Sequence, residues 1–245
     1  MVVATDKSEV QPRAVPEPSL RRMPLYHRML KQLMDGQRTQ VTCTEIGLQL
    51  GLDPTQIRKD LEYTGIAGRP KVGYPLGALI AAIESFLGWN NVNDAFLVGA
   101  GNLGAALLGY PHFADYGLNI VAAFDRDEQK VGRAIHGKEV FPLSRLVGLA
   151  QRMHILIGII TVPEPAAQEV ADLMAAGGIL AIWNFAPAHL KVPPQVIVHN
   201  ENLYCSLASL SQKLAKSLAA KASGENAEIR DQSERNAEIR NQKSE

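Results

Sequence analysis

The chain has only two cysteines in 245 residues, Cys43 and Cys205, and no Cys-x-x-Cys pair or histidine cluster. That excludes a disulfide framework and predicts no metal site. Net charge is missing as well, since 25 Lys and Arg balance 25 Asp and Glu. Bulk electrostatics therefore single out no partner. There is no apolar run of membrane-spanning length, and the N-terminus lacks the basic-then-apolar pattern of a secretory signal. These absences predict a cytoplasmic protein with no membrane partner. What is present is 46% hydrophobic residues in a length that can bury two cores of ordinary domain size. The zero charge also hides a local bias: between Ser19 and Ser85, nine Lys and Arg stand against six Asp and Glu.

The densest motif is Ala95-Phe96-Leu97-Val98-Gly99-Ala100-Gly101-Asn102-Leu103-Gly104, followed by a second apolar run, Ile120–Phe124, that ends in Asp125. Apolar strand, Gly-x-Gly-x-x-Gly, helical stretch, apolar strand and terminal acid form the dinucleotide-binding fingerprint. Gly99 permits the tight turn out of the strand. Gly101 leaves no side chain between the backbone and a pyrophosphate, and Gly104 lets the helix lie close on the sheet. The amides of Asn102, Leu103 and their neighbours open that helix, where unpaired N–H groups and the dipole favour an anion. Asp125, 21 residues past Gly104, is placed to accept hydrogen bonds from a ribose 2′-hydroxyl. A carboxylate there repels a 2′-phosphate, which favours NAD over NADP, while the adjoining Arg126 works the other way. The competing reading is a strand-to-helix turn without a ligand; the agreement of all the parts favours the nucleotide.

The pattern divides the chain into five stretches. Residues 1–18 are polar and carry Pro12, Pro16 and Pro18, which predicts disorder. A helical domain spans 19–88 and ends at the turn-forming Gly88-Trp89-Asn90-Asn91-Val92-Asn93-Asp94. The nucleotide domain, 89–200, has apolar strands at Ala95–Val98, Ile120–Phe124, Ile155–Ile160, Ile179–Trp183 and Val196–His199. Helical stretches such as Pro142–Gln151 and Pro165–Ala176 separate most of them. Such alternation predicts an α/β, Rossmann-like doubly wound parallel sheet. In 201–221, leucines at 203, 207, 210, 214 and 218 make one apolar helical stripe. That helix either packs on its own sheet or forms an association surface; the second is favoured because the sheet already has covering helices. Residues 222–245 nearly repeat Asn226–Gln232 as Asn236–Gln242, a ten-residue period that suits no heptad and predicts a disordered tail.

Within the first domain, Leu25, Met29, Leu33 and Met34 mark one face of a helix, with Pro24 suited to its first turn. Thr44–Leu50 reads as a short helix closed by Gly51, and Asp53-Pro54 caps the next, Thr55–Tyr63. Ile46 and Leu50 can pack on Ile57 and Leu61, which gives a helix-turn-helix. Its second helix would present Thr55, Gln56, Arg58 and Lys59 to base edges and phosphates. Gly68–Tyr74, with Arg69, Lys71 and Tyr74, has the turn-plus-basic character of a wing. The alternative is a generic helical cap whose Arg58 and Lys59 are solvated beside Asp60 and Glu62.

Taken together the chain resembles the Rex family, bacterial redox-sensing transcriptional repressors that respond to NADH and NAD⁺. The resemblance runs over roughly residues 16 to 218. It is carried by Arg22–Arg28, Gln56-Ile57-Arg58-Lys59-Asp60-Leu61, Val72-Gly73-Tyr74, Val98–Gly104, Lys130-Val131-Gly132, Thr161-Val162-Pro163 and Asn184-Phe185-Ala186-Pro187. It implies an N-terminal winged helix on double-stranded operator DNA, an A/T-rich inverted repeat. It also implies a homodimer with the C-terminal helix swapped between subunits. Family cofactor contacts fall on Gly99, Ala100, Gly101, Asn102, Leu103 and Gly104, on Asp125, on Thr161, Val162 and Pro163, and on Asn184, Phe185, Ala186 and Pro187. Arg126 and Lys130 are counted with them. DNA contacts fall on Arg58 and Lys59 and on the wing. A coupling cluster falls on Arg28, Tyr110 and Asn202; the last is an aspartate in the family, so a charge is missing here.

Two readings remain open beside the sensor: a small NAD-dependent oxidoreductase with a helical appendage, and a CoA or other nucleotide binder. A dehydrogenase needs a proton donor near the nicotinamide. His112, His136, His154, His189 and His199 are the candidates; none has a recognisable partner spacing, and no Tyr-x-x-x-Lys occurs. The expectation is therefore a non-enzyme with no catalytic residues.

Overall fold

Pro18, free of any N–H to satisfy, stands in the first turn of the first helix of the computed structural model, which describes residues 15–90, 93–202 and 204–219. Helix α1, Glu17–Asp35, thus opens inside the stretch expected to be unstructured. It also places Pro24 in its interior rather than in its first turn, a correction to the sequence reading. The disorder expected for 1–14 and 222–245 lies outside the described residues.

The first domain continues with β1 (Gln40–Val41), α2 (Cys43–Leu50), α3 (Pro54–Glu62), β2 (Tyr74–Pro75) and α4 (Leu76–Phe86). Met23, Tyr26 and Leu30 of α1 form one core with Ile46, Ile57, Leu61, Leu79 and Ile83. Thr42 and Glu45 make a capping box on α2, and the Asp53 carboxylate accepts the N–H groups of Thr55 and Gln56 at the start of α3. The turn between them is tight: a Cβ on Gly47 would lie 2.6 Å from the carbonyl oxygen of Leu52. Val41 pairs with Tyr74 across an antiparallel β1–β2 ladder, and a bridge from Arg69 to Gly73 closes a wing with Lys71 at its tip. This is a winged helix.

The remaining strands, β3 (Asn93–Val98), β4 (Leu118–Asp125), β5 (Ala134–Ile135), β6 (Lys138–Pro142), β7 (Ile157–Ile160), β8 (Ala181–Asn184) and β9 (Ile197–Asn200), form one sheet in the order β5-β6-β4-β3-β7-β8-β9. Helices α5 (Asn102–Leu108), α6 (Leu146–Met153) and α7 (Glu164–Ala176) intervene in the chain. Leaving aside β5, which is antiparallel to β6, this is the strand order of the doubly wound dinucleotide fold. All five expected strands are present. Ile155 and Ile179 are buried just ahead of β7 and β8 rather than inside them. The β5–β6 hairpin escaped the sequence reading because Lys138 and Glu139 interrupt its apolar pattern, leaving Val140 as its one buried large residue.

By compactness the chain divides into Met1–Ala95 with Gly109–Val121, and Phe96–Leu108 with Ala122–Glu245. The segment 109–121 groups with the first of these units. Its Tyr116 packs edge-on against Trp89, with ring centroids 4.7 Å apart, and Trp89 meets the buried His27 of α1 edge-on in turn. In the second unit a last helix, α8, spans 204–219, and every residue of it is exposed in the single chain.

Candidate nucleotide site and nucleic-acid interface

At the C-terminal ends of β3 and β7, where the strand order reverses, lies a cavity of about 690 Å³. Two glycines shape its floor. Gly99 has φ +104°, and a Cβ on it would sit 2.8 Å from the carbonyl of Thr161. A Cβ on Gly104 would collide with the Gly99 carbonyl oxygen. The Thr161 hydroxyl donates to that same oxygen at 2.8 Å, tying the loop to the end of β7. Gly101 is the opposite case: it is exposed, and nothing stands within 4 Å of where its Cβ would be. The open backbone at Gly101 is what close approach of a pyrophosphate needs.

Asp125 ends β4 and is buried. Its Oδ2 accepts the Ala100 N–H at 2.8 Å and lies 3.1 Å from Lys130 Nζ, and its Oδ1 accepts the Asp127 N–H at 2.9 Å. Burial works against the charge, but these donors outweigh it and hold the carboxyl below its ordinary range. The acid thus braces the glycine loop and keeps one lone pair for a further donor. Next to it, Arg126 lines the cavity and pairs with Glu169 of α7 at 2.9 Å.

Ten of the residues predicted for the cofactor line this cavity: Gly99, Gly101, Leu103, Asp125, Arg126, Lys130, Thr161, Val162, Pro163 and Phe185. Ala100 and Gly104 act beneath the loop, and Asn102 is exposed at the start of α5. Asn184 is fully buried and occupied internally. Its amide donates to the carbonyls of Ala186 and Ala188 and to Asn200 Oδ1, while its own Oδ1 accepts the Ala186 N–H. It shapes the loop rather than facing the cavity. Ala186 and Pro187 line a neighbouring cavity of about 470 Å³. Sequence reasoning missed the apolar wall made by Leu143, Pro165, Ala166 and Val170, which carries no motif. None of the five candidate histidines lines the nucleotide cavity.

In the winged helix, Thr55, Gln56, Arg58 and Lys59 are exposed on α3, and Arg69 and Lys71 on the wing. A groove of about 810 Å³ runs between α2, α3 and the wing, with Arg58, Arg69 and Lys71 along it. Among the described residues, no carboxylate is paired with any of Arg58, Lys59, Arg69 and Lys71. Tyr74 borders the groove but is buried, its ring directly under Gly68, so it supports the wing from inside. Asp60, named in the sequence only as a neighbour of Arg58 and Lys59, is fully buried. Arg22 grips it through Nε at 2.6 Å and Nη2 at 2.9 Å, and the Tyr26 hydroxyl donates to it at 2.7 Å. Burial opposes the charge, yet Arg22 and Tyr26 lead the groups that lower the carboxyl to about 2. Gln56 also donates its amide to Asp60 at 3.0 Å. Its partner Arg22 lies thirty-eight positions upstream, a separation that no local pattern reveals.

The three residues of the predicted coupling cluster are placed as follows. Arg28 is exposed on α1, Tyr110 is half-exposed and stacks on His112 and Phe113, and Asn202 Oδ1 accepts the Cys205 N–H at 3.1 Å as a cap on α8.

Two family models match the chain: a putative DNA-binding protein N-terminus over residues 14–62, and a CoA binding domain over residues 90–188. A redox-sensing transcriptional repressor Rex from Treponema denticola is 46% identical over 193 residues, covering 79% of this chain and 92% of its own. One from Bacteroides fragilis is 43% identical over 200 residues, covering 82% and 91%. Among solved structures, RSP in complex with β-NAD⁺ and operator DNA matches with TM-score 0.79 and 34% identity, covering 86% of this chain and 98% of that one. RSP in complex with β-NADH matches with TM-score 0.75 and 34% identity over 84% and 97%.

Proposed function

Because the chain belongs to the Rex family of redox-sensing transcriptional repressors, we propose that it binds operator DNA and is released from it by NADH and not by NAD⁺. The observation that carries this reading is the pairing, in one chain, of a glycine-loop cavity at the sheet's switch point with a winged helix that exposes Arg58, Lys59, Arg69 and Lys71, none of them paired with a carboxylate among the described residues. Arg58 and Lys59 on α3, with Arg69 and Lys71 on the wing, grip the duplex. The glycine loop, Asp125 and the Thr161–Pro163 loop hold the dinucleotide. The protein acts in the cytoplasm as a sensor rather than as an enzyme, in keeping with relatives that are named repressors.

The active form is a homodimer joined through α8, whose Leu207, Leu210, Leu214 and Leu218 are each more than half exposed in the single chain. An apolar stripe of that length needs a partner. Replacing Leu210 and Leu214 with Glu should yield a monomer in sedimentation and abolish operator binding. Two subunits reach two half-sites of an inverted repeat. NADH favours an arrangement of the dimer in which the two winged helices no longer match those half-sites.

The direct test is operator binding at fixed salt, titrated separately with NADH, NAD⁺ and CoA; salt is held because phosphate contacts make affinity steeply salt-dependent. Release by NADH at concentrations where NAD⁺ and CoA leave the complex intact is expected. Binding that ignores NADH would overturn the sensor reading, and failure to bind operator-like duplexes at all would return the oxidoreductase.

A further inference from the structure

Where β4 ends, every cation of the nucleotide cavity is already matched by a carboxylate. Lys130 Nζ is 3.1 Å from Asp125 and 3.7 Å from Asp127, and Arg126 Nη2 is 2.9 Å from Oε2 of Glu169. Glu169 comes from α7, whose Ala166 and Val170 form part of the cavity wall. Two cations thus face three acids at the end that would receive the adenosine ribose. The Arg126–Glu169 pair is more than half exposed on each side, so it adds little to stability. Its consequence lies in what the cavity mouth offers a ligand.

We propose that Glu169 is a specificity-determining residue: by occupying the Arg126 guanidinium, it denies a 2′-phosphate the planar fork that would clamp it. The inference rests on the nucleotide reading of this cavity. Asp125 alone is a weak filter here. The Ala100 and Asp127 N–H groups and Lys130 already engage its carboxylate, and Lys130 offsets its charge. An arginine beside the strand-end acid is the group that accommodates a 2′-phosphate in dinucleotide folds, and its planar fork suits phosphate oxygens. In this chain that arginine is present but committed to an acid on another element. No fingerprint signals Glu169, because it lies 44 positions past Asp125, on a helix that contributes mostly apolar wall.

The test is calorimetric titration of the full-length protein and of Glu169→Gln with NADH and NADPH at one ionic strength. The wild type is expected to bind NADH and to discriminate against NADPH. Glu169→Gln should bind NADPH about tenfold more tightly while its NADH affinity stays within about twofold. Adding Arg126→Gln should erase the gain. An unchanged NADPH-to-NADH ratio in Glu169→Gln would overturn the inference. So would a gain that survives loss of Arg126, since that would reflect net charge alone. A wild type that binds no NADH would remove the nucleotide reading and this inference with it, and the wild-type isotherm tells that failure from the other two.

Discussion

In the winged helix, Arg58, Lys59, Arg69 and Lys71 are exposed and unpaired among the described residues, whereas in the nucleotide cavity Lys130 and Arg126 are held by carboxylates at 3.1 and 2.9 Å. The acids are distributed in the opposite sense. Asp60 of α3 is fully buried and neutralised by Arg22, while Asp125 stands at the cavity wall. The difference follows from the two ligands. A duplex is a polyanion that is met at the surface, and free cations gain affinity there by releasing counterions. A dinucleotide enters a cavity and is recognised by backbone, shape and a few polar groups, so loose charge inside would only blur selection. The winged helix uses the Arg22–Asp60 pair to place α3; the nucleotide domain uses its pairs to decide what may enter.

Four perturbations sharpen this contrast, the largest effect first. Arg58→Ala with Lys59→Ala should weaken operator binding by about hundredfold or more and reduce the slope of log affinity against log salt by about one per lost phosphate contact. NADH binding, measured by calorimetry, should be unchanged. Gly104→Ala should act on the other side only. Its Cβ collides with the Gly99 carbonyl, so NADH affinity should fall by about tenfold to hundredfold while operator binding persists and ignores NADH.

Asp60→Asn should cost about 2–3 kcal/mol in denaturant unfolding and weaken operator binding, since it leaves Arg22 without its counter-charge. This variant also carries a pH signature. The carboxyl is lowered from 3.8 to about 2 on folding, so its stabilisation is complete above about pH 4 and is lost as pH falls through 2. The wild type should lose about 2 kcal/mol from this group across that window, and Asp60→Asn should show a flatter acid limb. Asn202→Asp is the mildest change. Either residue can cap α8, so unfolding should be unaffected. If Arg28, Tyr110 and residue 202 couple as the family resemblance implies, the charge should shift the NADH midpoint of operator release by about fivefold, from a charge-assisted bond on the order of 1 kcal/mol. An unmoved midpoint would show that the asparagine carries the signal equally well.

Motifs that act through the backbone were legible from sequence. The Gly99–Gly104 loop, the strand-end Asp125 and the Asp53-Pro54 start of α3 all impose their geometry within a few residues. Partners distant in the chain were not. Nothing near Asp60 in the sequence marks it as buried, and only the packing of α1 on α3 brings Arg22 and Tyr26 to it. Asn184 was read as a cofactor contact within a recognisable run, yet its buried amide is consumed by the loop it shapes. Tyr74 was read as a wing contact; a core position under Gly68 looks the same in a one-dimensional pattern. The stretch between Gly104 and Ile120 reads as helical, and the association of 109–121 with the first unit through Tyr116 and Trp89 becomes visible only in three dimensions.

The central claim is that operator and NADH compete through the conformation of one dimer, and the measurement that meets it most directly is NADH affinity with and without saturating operator duplex. Linkage requires the duplex to weaken NADH binding by the same factor by which NADH weakens operator binding. The account predicts matching factors above one. Equal NADH affinity for the free and the operator-bound dimer would contradict it.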